Sequence, residues 1–66
     1  MHSIVETLDR AGSCTVWAHL ITRVEAEAVV RLALSAHCQH VAAELVMVPI
    51  PDFEGDAPAW RFTITD

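Results

Sequence analysis

Residues His37-Cys38-Gln39-His40 bring two imidazoles and a thiol together within four positions. Imidazole nitrogen and thiolate sulfur are the usual protein ligands of zinc and copper. His37, Cys38 and His40 are therefore the metal candidates of this sequence, and Cys14 and His19 are the residues that could add to them from an earlier segment. The spacing matches no established zinc pattern, and Cys14 and His19 fall on opposite faces of a regular strand. A histidine at a helix C-terminus is also accounted for by its attraction to the negative end of the helix dipole. The expectation is thus structural: no cofactor, Cys38 a small buried residue, and His37 and His40 surface or interface positions. A cysteine nucleophile with a histidine base needs both groups within hydrogen-bond reach and a third group to orient the base. Cys38 with His19 or His40 would be such a pairing, and nothing in the sequence favours it. A non-enzymatic role is expected.

Glu44 is the one charge in an apolar segment over residues 41–50, and Arg61 lies in the next segment. An acid there either sits on a sheet edge, pairs with Arg61 across a hairpin, or marks a ligand pocket with it; pairing is the favoured expectation. Asp52, Glu54 and Asp56 around Gly55 lack the ligand density and the terminal bidentate glutamate of a calcium loop, so they read as a solvated hairpin tip. Trp17, Trp60 and Phe62 could share a sheet face, where aromatics serve as core or as dimer contacts more often than as a ligand platform.

These residues must be positioned by a short series of elements. Ser3-Ile-Val-Glu6 has the form of a capping box opening a helix that Gly12 ends, with Ile4, Val5, Leu8 and Ala11 on one side. Residues 13–21 alternate and are rich in β-formers, which predicts a strand. Thr22-Arg-Val-Glu25 is a second capping box, and the helix it opens runs to about His37. Ala26, Ala28, Val29, Leu32, Ala33 and Ala36 fill its apolar arc, whereas Val30 and Leu34 lie on a flank beyond it. Residues 41–50 are apolar on both faces apart from Glu44, which predicts a central strand or one at an interface. Prolines 49 and 51 stop it. After an acidic loop over 52–58, residues 60–65 alternate as a half-exposed antiparallel strand.

Composition bounds the rest. Sixty-six residues make one domain, 1–66, whose 53% hydrophobic content excludes disorder. No apolar run approaches the ~20 residues that would cross a bilayer, and the N-terminal residues carry charge where a signal peptide needs an apolar core, so a cytoplasmic protein with reduced cysteines is expected. The net charge of −5 and only four cationic side chains, Arg10, Arg23, Arg31 and Arg61, argue against a nucleic-acid partner. A chain this small buries only about 60% of its unfolded surface, which makes a shared core attractive.

The order α-β-α-β-β describes an α+β domain with a mainly antiparallel three-stranded sheet. Over residues 13–66 it resembles part of a ferredoxin-like unit, as in ACT-type regulatory domains, with the fourth strand missing and no ligand-binding residue to carry over. The order also resembles that of very small tautomerases, whose N-terminal proline is replaced here by Met1-His2. A three-stranded sheet has two open edges and an uncovered face. The expectation is a homodimer, with Trp17, Val30, Leu34, Val46, Val48, Trp60 and Phe62 at its interface. It would act as an interaction or regulatory module, as an accessory subunit for a larger protein partner, or alternatively as a small-ligand- or metal-binding protein.

Overall fold

The computed structural model describes residues 2–65, with side chains from Ile4 to Thr65. Two helices and three strands follow in the order α1 (His2–Ala11), β1 (Ser13–Trp17), α2 (Arg23–His37), β2 (Val41–Pro49) and β3 (Asp56–Ile64).

The strongest local signal is the start of α2. The Glu25 N–H donates to Thr22 Oγ1 at 3.1 Å, and the Thr22 N–H donates to Glu25 Oε1 at 3.0 Å, so the expected capping box is formed in both directions. At the other end Cys38 takes a left-handed conformation, φ 53°. Its N–H donates to the Leu34 carbonyl and that of Gln39 to the Ala33 carbonyl, which satisfies the last turn. A cysteine thus fills a position usually given to glycine, and its side chain is exposed rather than buried as the sequence suggested.

Helix α1 begins before Ser3, and the hydroxyl expected to cap it lies outside the described side chains. Gly12, φ 83°, ends that helix by donating to the Leu8 carbonyl, and its own carbonyl accepts from Ile64 N–H. One residue therefore stops α1 and opens the β1 ladder.

The sheet has the order β1-β3-β2 with both pairings antiparallel. Strand β3 is central and β2 is an edge, so of the two expectations for residues 41–50, a central strand or one at an interface, the central one is corrected. The β2–β3 hairpin inserts β3 between the two strands that α2 connects. Two further boundaries differ. The first strand ends at Trp17, because residues 18–20 turn with Leu20 N–H donating to the Trp17 carbonyl. The last strand starts at Asp56, inside the expected loop.

Both prolines in the sheet sit where a missing N–H costs no ladder bond. The Pro58 carbonyl accepts from Ala18 N–H on the β1 side, beyond the last β1 pair, so its nitrogen also faces that side. Pro49 faces the open edge of β2. This follows because His40 accepts from Thr65 and Ile50 donates to Gly55, so the even-numbered residues of β2 point their backbone groups at β3 and the odd-numbered ones point theirs outward.

Both helices lie on one face of the sheet. Val5 and Leu8 of α1 and Ala26, Val29 and Ala33 of α2 bury against Val41, Trp60 and Phe62, with Cys14, Val16, Ala43 and Ile64 packed around them. The Gln39 amide donates to Asp9 Oδ1 at 2.9 Å and ties the end of α2 to α1.

Candidate functional site

Length decides where the chain stays uncovered. Fifteen residues of α2 span about 22 Å, whereas the nine residues of β2 extend about 30 Å. The β2–β3 hairpin therefore overhangs the helix, consistent with a longest dimension of 39 Å. Along β2 the odd-numbered side chains face the helices: Val41 is buried and Ala43 half-buried, but Leu45 and Met47 are 53% and 62% exposed. Beside them, between α2 and β2, runs an open groove of about 390 Å³ lined by Ala26, Val30, Val41, Ala43 and Trp60, with Arg23, Glu27 and Arg31 on its helical wall. The Arg23 guanidinium stands 5.7 Å from the Trp60 ring centroid, a cation–π contact at its upper end.

The residues singled out from sequence divide between the two faces. Phe62 is fully buried and Trp60 is 9% exposed; both pack in the chain's own core. Trp17 pairs with Ala59 and so lies on the opposite face from Trp60, since adjacent residues of a strand point to opposite sides. The shared aromatic face does not form. Val46 and Val48 are half-buried on that outer face with Trp17, near a second hollow of about 370 Å³ lined by Trp17, His19, Ile50, Pro51 and Ala57. Val30 lines the groove and Leu34 is exposed on the helix.

Glu44 sits directly opposite Arg61, and their charged groups approach to 4.0 Å on the outer face. Both side chains are about half or more exposed, so the pair contributes at most roughly 0.5 kcal/mol. His37, Cys38 and His40 occupy the end of α2 and the turn after it, all exposed. Among the described residues, no three His, Cys, Asp or Glu side chains gather where they could hold a metal ion. Both cysteines are free thiols, and burial pushes the Cys14 thiol up, which disfavours its thiolate. Asp52, Glu54 and Asp56 are exposed at the hairpin tip beside Phe53, which is 75% exposed.

Sequence reasoning missed Arg23, Glu27, Arg31, Leu45 and Met47 as a group. The available signal was the mismatch in length between helix and strand, which leaves the upper part of a two-sided apolar strand with nothing above it. No helix among the described residues is long and apolar enough to cross a membrane. No protein-family model, curated protein or solved structure matches this chain.

Proposed function

We propose that this chain is a non-enzymatic, self-associating interaction or regulatory module whose working surface is the open edge of β2 and the groove beside it. The observation that carries this reading is the exposure of Leu45 and Met47 on the helix-facing side of an edge strand. There they join unpaired backbone donors and acceptors, the combination that invites another strand. A homodimer would cover that edge and supply core that a 66-residue chain lacks. The split arrangement, with β3 between the two strands that α2 connects, supports reading the domain as a partial ferredoxin-like, ACT-like unit in which α1 takes the second helical place. An accessory role beside a larger protein follows if the pairing surface accepts a foreign strand. Light scattering over a dilution series tests the reading. A dimer mass at tens of micromolar supports it, and a monomer throughout removes it.

A second reading, favoured by the groove, is binding of a small anion with an apolar body, held by Arg23 and Arg31 and lying against Trp60. Glu44 and Arg61 on the outer face, and His37, Cys38 and His40 at the helix end, are the alternative positions for a pocket or metal. Trp60 emission in a Trp17→Phe variant, titrated with aromatic carboxylates, discriminates: a saturable change supports a ligand site, and a change that follows protein concentration alone supports association.

A further inference from the structure

Resting on the self-association reading, we propose the geometry of the dimer. Two copies pair through β2, antiparallel about a two-fold axis at Glu44, so that Leu45 and Met47 of each copy cover the groove between α2 and β2 of the other.

The backbone limits the pairing. Val41, Ala43, Leu45, Met47 and Pro49 point their polar groups at the open edge, so only they can bond to a new strand. Pro49 has no N–H to give. The register that places Val41 opposite the partner's Met47, and Ala43 opposite the partner's Leu45, uses the four residues that can both donate and accept and leaves Pro49 outside the ladder. Shifting the axis to Leu45 sets Pro49 against Val41, where each end pair keeps a single bond in place of two; the two registers then make equal numbers of bonds, and the side chains decide between them.

The same residues carry the helix-facing side chains. In this register the two exposed ones, Leu45 and Met47, come to lie beside Ala43 and Val41, which line the groove. Large side chains without cover thus meet small or buried ones that border the groove.

Charge agrees with shape. Arg23 stands over Trp60, whose neighbour on β2 is Leu45, and Arg31 lines the groove with Val41. Helix and strand descend in step, about 12 Å from Arg23 to Arg31 against about 13 Å from Leu45 to Val41. An axis at Glu44 is therefore level with the stretch of α2 between Arg23 and Glu27. Across it Arg23 of one copy faces Glu27 of the other, twice, a self-complementary arrangement. On the outer face the two Glu44 carboxylates meet, each already beside its own Arg61, and solvent exposure keeps that cost small.

The test uses a Cys14→Ala, Cys38→Gly background in which Glu44→Cys is the only thiol. Residue 44 would form a non-hydrogen-bonded pair with itself, the closest approach in an antiparallel ladder and within disulfide reach. Mild oxidation is expected to give a covalent dimer from Glu44→Cys and not from Ser35→Cys, on the exposed face of α2. Met47→Glu, which would press a charge against the apolar groove, is expected to weaken association at least tenfold while circular dichroism stays that of the folded chain. A monomer by light scattering in the wild type overturns self-association itself. A wild-type dimer in which Glu44→Cys stays reduced and Met47→Glu keeps its mass overturns this geometry and leaves the broader reading standing.

Discussion

At the scale of single residues, two backbone positions make opposite predictions. Cys38 holds a left-handed conformation that costs an L-residue roughly 1 kcal/mol, so Cys38→Gly is expected to be neutral or to raise stability by up to about that amount in urea unfolding. Gly12→Ala, at φ 83° with open space around its Cα, is expected to lower it by about 1 kcal/mol for the same reason. The glycine was legible in the sequence because glycine after an apolar helix is a stop signal. The cysteine was not, because its chemistry suggested a ligand or a core residue and concealed a cap. The two thiols should also differ in reactivity. Cys38 is exposed, whereas burial raises the Cys14 pKa, so Ellman's reagent at pH 8 is expected to modify Cys38 quickly and Cys14 slowly. The raised pKa has a sign in stability too. The folded chain holds the Cys14 proton at a pH where the unfolded chain has lost it, so stability is unaffected below the ordinary thiol range and falls as the pH climbs through it.

At the scale of elements, capping chemistry and periodicity carried most of the information. Thr22 and Glu25 announced the start of α2, and its formed box predicts that Thr22→Ala costs about 1 kcal/mol, measured as a lowered urea midpoint with unchanged slope. The alternation over residues 60–65 predicted a strand exposed on one side only, and Trp60, Phe62 and Ile64 do face the core. Strand order was less legible, because a strand apolar on both sides reads the same whether it is covered by neighbours or left at an edge. Residues 41–50 look central by composition, yet the hairpin carries β3 into the middle and β2 to the rim. Pro49 was the clue that pointed the right way, since a proline facing outward is at home on an edge. Pro58 pointed the wrong way, suggesting loop where β3 has already begun, because it lies just past the end of β1.

At the scale of the whole molecule, two helices cover one face of three strands, and their length leaves part of β2 bare. The core is small: Phe62, Leu8, Val5 and Val29 are its largest fully buried side chains. Phe62→Ala is therefore expected to cost about 3–5 kcal/mol, enough to unfold a chain of this size at room temperature, seen as loss of near-ultraviolet circular dichroism. The excess of apolar surface was legible in the sequence; where it lies was not, since Trp60 and Phe62 turned inward and Leu45 and Met47 took the exposed places. Self-association through that edge is the claim on which the functional reading stands. Amide hydrogen exchange reads it residue by residue, because Ala43, Leu45 and Met47 point their N–H groups away from β3 while Ala42, Glu44 and Val46 point theirs toward it. The expected result is protection at both sets in concentrated protein, with Ala43, Leu45 and Met47 losing theirs on dilution. Exchange at those three as fast as at exposed amides at every concentration, while Ala42, Glu44 and Val46 stay protected, would contradict it.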